Sequence, residues 1–261
     1  MQRTAEEIEQ IRLQSRLTKR FHKACADYGL IADGDSILIG LSGGKDSLAL
    51  VEMLGKRAQI YVPRFKVTAV HVRMREVAYE SDTSYLEHFC QTWNVPFLVR
   101  ETSFGELKHD KNPCFVCSWY RRKVLFDTAQ ELGCNKIALG HHKDDIVETL
   151  LMNLIYEGTF ATNPPLLRMD KMPLQIIRPL CLIEEKEIAR YAALCGYAKQ
   201  NKQCPFEHAS ARNTIKQLLH QLEQLNPAIR DSLWGAMSNV KPDYLPQHLP
   251  ISKEREKREK T

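Results

Sequence analysis

Residues 36–47 read SILIGLSGGKDS, and the turn this stretch makes decides the fold. Its opening five residues, apolar and closed by Gly40, have the character of a short buried strand, and a helical pattern begins near Ser47. The glycine-rich link between them is an anion site in waiting, because backbone N–H groups and a helix N-terminus point at the same spot. Two common phosphate loops are excluded. A Walker loop needs four residues between its first glycine and Gly-Lys, then Ser or Thr for magnesium. Here only three residues separate Gly40 from Gly44-Lys45, and Asp46 occupies the hydroxyl's place. No G-x-G-x-x-G pattern of a dinucleotide fold can be read across the turn either.

Outward from this loop, strand and helix patterns alternate. Strands are predicted at 36–40, 66–72, 96–100, 136–140 and 175–180, and helices near 47–56, 82–93, 118–132, 145–156 and 184–194. Such alternation predicts an α/β fold, a parallel sheet with helices on both faces. A long amphipathic helix over 4–30 precedes it, with Thr4 and Glu7 at capping-box spacing. Helices near 210–225 and 227–239 follow it. The expected organisation is an N-terminal helical extension (1–30), the α/β nucleotide domain (31–200), a C-terminal helical addition (201–245) and a charged tail (246–261). Residues 158–173, a glycine- and proline-bearing stretch, are expected to form a mobile surface loop.

Composition narrows the class. With 43% hydrophobic and 26% charged residues in 261, the chain can bury a substantial core. No apolar run is long enough to span a bilayer, and MQRTAEEIEQIRLQSRLTKR is too polar for a signal peptide, so a soluble, cytoplasmic protein with no membrane partner is expected. The net charge of +5 is compatible with an anionic partner. In a reducing cytosol the eight cysteines stay unpaired. Cys25, Cys90, Cys134, Cys181 and Cys195 sit in apolar stretches and are read as small core residues.

Ligands of an open parallel sheet bind beyond the carboxyl ends of its strands. Four polar segments fall there: SGGKDS (42–47), HVRM (71–74), the segment before Cys114, and GHHKDD (140–145). In the first, Gly43 and Gly44 allow close approach of phosphate, Ser42 and Ser47 offer hydroxyls and Lys45 a charge. Asp46 would repel phosphates without an intervening cation, so it is assigned to magnesium. His71 and Gly140 complete the expected nucleotide lining. Asp144 is read as the cap of its helix and Asp145, one step inward, as a catalytic candidate.

Cys114 and Cys117 stand at C-x-x-C spacing in NPCFVCSWYRR, and Cys204 lies in a polar stretch far downstream with His208 four residues on. All three cysteines have polar, loop-like neighbours. Three Cys and one His would suit a closed zinc site, and three Cys alone an iron–sulfur cluster with one open position; the spacing leaves both open.

Together, SGGKDS, PCFVCSWYRR, GHHKDD and Cys204 resemble the TtcA-like tRNA 2-thiocytidine synthetases, a branch of the PP-loop ATP pyrophosphatases, over about residues 20–245. The resemblance implies ATP and Mg2+, a [4Fe–4S] cluster on Cys114, Cys117 and Cys204, and tRNA as substrate. It implies that C2 of cytidine 32 is activated by adenylation of its oxygen and that sulfur then displaces AMP. Asp46 and Asp145 match carboxylates needed for activity, and Arg121 matches a basic position near the α-phosphate. Sulfur would come from an external donor such as a cysteine desulfurase or sulfide, and a homodimer is one oligomeric option. Cys204 is followed by Pro-Phe-Glu where many relatives carry another nearby cysteine.

Overall fold

The computed structural model describes residues 3–79, 83–103, 113–198, 202–203 and 211–246. Helix α1 (Ala5–Asp27) opens on the capping box that its sequence predicts: Glu7 N donates to Thr4 Oγ1, and Thr4 N to Glu7 Oε2. Then follow β1 (Ser36–Gly40), α2 (Lys45–Ala58), β2 (Lys66–Met74), β3 (Ala78–Tyr79), α3 (Ser84–Thr92), β4 (Phe97–Thr102), α4 (Pro113–Glu131), β5 (Lys136–Ala138) and α5 (Lys143–Met152). The chain continues through β6 (Leu166–Arg168), β7 (Gln175–Ile177), α6 (Glu185–Leu194), β8 (Lys202–Gln203), α7 (Ala211–Leu225) and α8 (Ile229–Ala236).

Six strands form one sheet in the order β4-β2-β1-β5-β7-β6, parallel except at the edge, where β6 runs antiparallel to β7. The alternation within β1 shows why helices cover both faces. Ile37 and Ile39 enter a cluster with Leu17 and Phe21 of α1 and Leu48 and Leu54 of α2. Leu38, between them, packs on the other face with Val70, Ala129 of α4 and Ile137. Each such side chain contributes about 1.5–3 kcal/mol by leaving water.

From β1 the chain builds outward through β2 to β4, then crosses back to place β5 on β1's other side. The ends of β1 and β5 therefore flank the point where the winding reverses, which is where open α/β sheets bind ligands.

Several expected boundaries shift. Helix α4 begins at Pro113, five residues before the predicted 118, because a proline needs no N–H partner in a first turn. Its C-x-x-C is thus helical, not loop-like. The expected surface loop at 158–173 contains β6. Strand β2 runs on to Met74, so HVRM belongs to the strand and not to a loop after it. The α5 helix ends in a π-helical turn, Asn153–Glu157, closed by Gly158 at φ +59°. Short strands β3 and β8 pair antiparallel, with Ala78 opposite Gln203, so the residue before Cys204 is tied to the chain just beyond β2. Helices α7 and α8 pack on α5: Ile215 and Leu219 are buried with Val147 and Leu151, and Ile229 and Leu233 join them partly buried. Among the described residues no helix is long and apolar enough to cross a membrane.

Candidate functional site

The loop after β1 has the backbone its glycines allow. Gly43 sits at φ +83°, in the left-handed region that residues with a Cβ avoid, and Gly44 is the extended N-cap of α2. The hydroxyls close the turn: Ser42 and Ser47 Oγ atoms are 3.1 Å apart, Gly44 N donates to Ser42 Oγ, and Ser47 Oγ donates to Gly44 O. From β2, the buried His71 ring donates through Nδ1 to the Leu41 carbonyl at 2.8 Å and so pins the loop's first residue. Gly140, after β5, lies so close to α2 that a Cβ there would stand 3.1 Å from the Asp46 carbonyl carbon and 3.2 Å from Ser47 N. The two strand ends thus meet backbone to backbone.

Lys45 and Asp46 are neighbours in space as well as in sequence, with Lys45 Nζ 3.2 Å from Asp46 Oδ2 and 3.1 Å from Glu185 Oε1. Burial opposes the Lys45 charge, yet Asp46 and Glu185 outweigh it and raise the ammonium's pKa. Asp46 is held differently: burial raises its carboxyl above the usual range against the pull of His142 and Lys45, and the charge of Asp145 adds to the rise. Its Oδ1 is buried and has no hydrogen-bond partner among the described residues. An under-solvated carboxylate oxygen beside a phosphate-type loop fits a hard divalent cation such as Mg2+.

Across from it, GHHKDD forms the first turn of α5 with His142 as N-cap. Asp145 N donates to His142 Nδ1 at 3.3 Å, and His142 N donates to Asp145 Oδ2 at 3.1 Å. Asp145, not Asp144, therefore completes the cap of α5. The correction has a simple cause, because the N3 position reaches back to the N-cap while N2 points away. Asp144 instead accepts from Glu185 N at 2.7 Å and from Arg230 Nε at 2.6 Å, joining α5 to α6 and α8. His141 accepts from Arg178 Nε at 3.2 Å, and burial, with Arg178 and Arg212 nearby, brings its pKa down to about 4 despite the opposing pull of Asp145.

Helix α7 supplies two cations that the sequence reading did not single out. Arg212 reaches Asp145, Glu148 and Thr149, and Lys216 bonds Glu185, which in turn holds Lys45. Burial alone would raise the Glu185 carboxyl, but hydrogen bonds from Lys216 and Lys45 bring it down to about 2. The signal available in the sequence was Arg212 standing eight residues after Cys204.

Of the cysteine set, Cys117 is half-buried near the start of α4, and Arg121 lies one helical turn further on the same side, also half-buried. Cys114 lies in the first turn of α4, and Cys204 and His208 lie outside the described residues. The five cysteines assigned to packing are buried or half-buried, and burial pushes the thiols of Cys25, Cys90 and Cys181 up to about 12. Those thiols stay protonated and inert.

Comparison with known proteins bears on this arrangement. Residues 12–222 match the profile of the PP-loop domain. The tRNA-cytidine(32) 2-sulfurtransferase of Aeromonas salmonicida (strain A449) is 35% identical over 243 residues, covering 91% of this chain and 80% of the relative. That of Geobacter sulfurreducens (strain ATCC 51573 / DSM 12127 / PCA) is 38% identical over 233 residues, covering 85% and 89%. Among solved structures, the U34-tRNA thiolase NcsA from Methanococcus maripaludis with its [4Fe-4S] cluster shares the fold, with a TM-score of 0.70 and 23% identity over 88% of this chain and 80% of that one. A phosphate-type loop and an acidic turn at the winding reversal, with relatives this similar over most of their length, make the chain a member of the PP-loop family and, within it, of the tRNA-cytidine(32) 2-sulfurtransferases.

Proposed function

We propose that this chain is an ATP-dependent tRNA thiolase that replaces the C2 oxygen of a cytidine with sulfur, at position 32 as in its relatives' names. The observation that carries the reading is the buried Asp46 Oδ1 beside the glycine turn, which has no hydrogen-bond partner among the described residues. In this reading Gly43 and Gly44 N–H groups, with Ser42 and Ser47, hold ATP phosphates, and Asp46 holds their Mg2+. His71 and Gly140 keep the loop where the nucleotide needs it. Lys45 exchanges Glu185 for phosphate oxygens.

The reaction runs in two balanced steps. Cytidine O2 attacks the α-phosphorus and pyrophosphate leaves; the sulfur of a hydrosulfide then bonds C2 as the C2–O bond breaks, AMP departs and the S–H proton goes to solvent. Adenylation turns a poor leaving oxygen into a good one. Arg121 stabilises charge developing on the α-phosphate, and Asp145 takes part from the facing turn. Cys114, Cys117 and Cys204 would hold a [4Fe–4S] cluster that would present sulfur at the sulfide level, supplied by an external donor, either sulfide itself or a cysteine desulfurase together with a thiol reductant. The solved thiolase of like fold carries such a cluster. The setting is the cytoplasm, where tRNA matures. Residues 31–200 act as the nucleotide domain, and the segment after 200 brings the third cysteine.

The test is direct. Purified anaerobically with ATP, sulfide and unmodified tRNA, the protein is expected to release AMP and pyrophosphate and to leave 2-thiocytidine detectable by nucleoside mass spectrometry. Asp46→Ala is expected to abolish AMP release with the fold intact. Full turnover of that variant at saturating ATP would remove the reading.

A further inference from the structure

Helix α4 turns a stripe of side chains to solvent directly beside its C-x-x-C. Phe115 and Trp119, four residues apart and hence on one side of the helix, are 67% and 50% exposed. Trp119 meets Tyr120 edge-on at 5.0 Å, and Lys123 Nζ stands 6.0 Å over its ring. Ser118, Arg122 and Lys123 are exposed beside them. Large rings left in water at neighbouring positions mark a contact surface, and flat aromatic faces framed by cations mark one for bases and phosphates.

Electrostatics select the partner. Arg178 donates to His141 Nδ1 and to the Pro164 carbonyl, both uncharged groups, and no described carboxylate pairs with it or with Arg122 or Lys123. Burial and, after it, repulsion from Arg122 together bring the Arg178 pKa down to about 10. Arg122 and Lys123, exposed on the aromatic stripe and paired with no described carboxylate, call for an anion. A second copy of the chain is a poor occupant, because a twofold contact would set Arg122 and Lys123 against their own copies.

We propose that this face of α4 is the stacking platform for unpaired loop bases of the substrate RNA, with Phe115 and Trp119 under the bases and Arg122 and Lys123 on the flanking phosphates. The proposal rests on the reading of the substrate as tRNA. Duplex RNA hides its base edges, whereas loop bases splay out and stack on aromatic rings. Phe115 lies between Cys114 and Cys117 in the chain, so a base stacked here is held on the same helix as that cysteine pair.

The probe is an unmodified anticodon stem-loop, with binding read by anisotropy for the intact protein and for Trp119→Ala, Phe115→Ala and Trp119→Phe. Trp119→Ala is expected to weaken binding on the order of tenfold, and Trp119→Phe to recover most of it. Of the three tryptophans, only Trp119 is expected to be quenched by the stem-loop, so the quench disappears in Trp119→Phe while binding persists. ATP affinity and the thermal midpoint are expected to stay at their unsubstituted values. Equal stem-loop affinity in all variants overturns the platform and leaves the thiolase reading standing. A dimer that falls apart in Trp119→Ala with RNA affinity unchanged also overturns it, assigning the face to copies of the chain. If the unsubstituted protein binds no stem-loop and releases no AMP with tRNA, the thiolase reading falls and the platform with it.

Discussion

Arg212 Nη1 lies 3.3 Å from Asp145 Oδ1 while its Nε stands 3.7 Å from Glu148 Oε2, so the helix that follows Cys204 grips the acidic turn after β5. Asp145 is therefore shared between the N-cap of its own helix and a guanidinium from another. Arg212→Ala is expected to lower AMP release roughly tenfold or more, by freeing a side chain whose position matters to developing charge. The effect on stability is expected to be small, about 1 kcal/mol or less, because Arg212 is 41% exposed and solvent screens the pair. Arg212→Lys keeps the charge but loses the fork, and its rate is expected to fall between the two. Paired measurements of AMP release and thermal midpoint check this; a large loss of stability with no loss of rate would make Arg212 a clamp only.

Gly140→Ala tests the backbone contact between the two strand ends. The added Cβ would sit 3.1 Å from the Asp46 carbonyl carbon, 3.2 Å from its oxygen and 3.2 Å from Ser47 N, all backbone atoms that cannot swing aside. A destabilisation of about 1–3 kcal/mol is expected, with a larger proportional loss of ATP affinity because the glycine loop is pushed out of shape. Denaturant midpoints and nucleotide titration read the two effects separately.

His141 gives a pH signature. Arg178 donates to its Nδ1, which requires that nitrogen to be unprotonated, and burial holds its pKa near about 4, below the ordinary 6.5. Between pH 6.5 and about 4 the unfolded chain therefore binds more protons than the folded one, so this residue makes stability fall as pH falls through that window and adds no slope below it. The His141 ring signals in NMR are expected to titrate near pH 4. Replacement by Gln should flatten the stability profile between those limits; a midpoint near 6.5 would contradict the buried, accepting ring.

The cysteine set decides between an open cluster and a closed zinc site. His208→Ala is expected to retain iron, sulfide and brown colour in anaerobic preparations, whereas Ala at Cys114, Cys117 or Cys204 is expected to lose them together with thiolation. Stoichiometric zinc that is lost in His208→Ala would assign a structural site whose binding energy is folding energy.

Much of this was legible in the residues themselves. The run from Ser36 to Ser47 specifies strand, left-handed glycine turn and helix by local rules alone, and the Gly43 backbone follows from the absence of a Cβ. The capping box at Thr4 and the period-2 burial of Ile37, Leu38 and Ile39 are of the same local kind. The order of strands was not legible, because which edge each crossover takes depends on the packing of whole helices. Only the folded sheet sets β5 beside β1 and brings Gly140 against Asp46, across almost a hundred residues of chain. The same holds for Lys45, Glu185 and Lys216, and for Arg212 on Asp145: charges far apart in sequence carry no periodic signal of meeting. The sequence by itself determined the local turn, caps and burial pattern and singled out candidate residues for the chemistry, and tertiary packing decided which side chains meet, because local backbone preferences act within a few residues and buried charge pairs form only where distant elements converge.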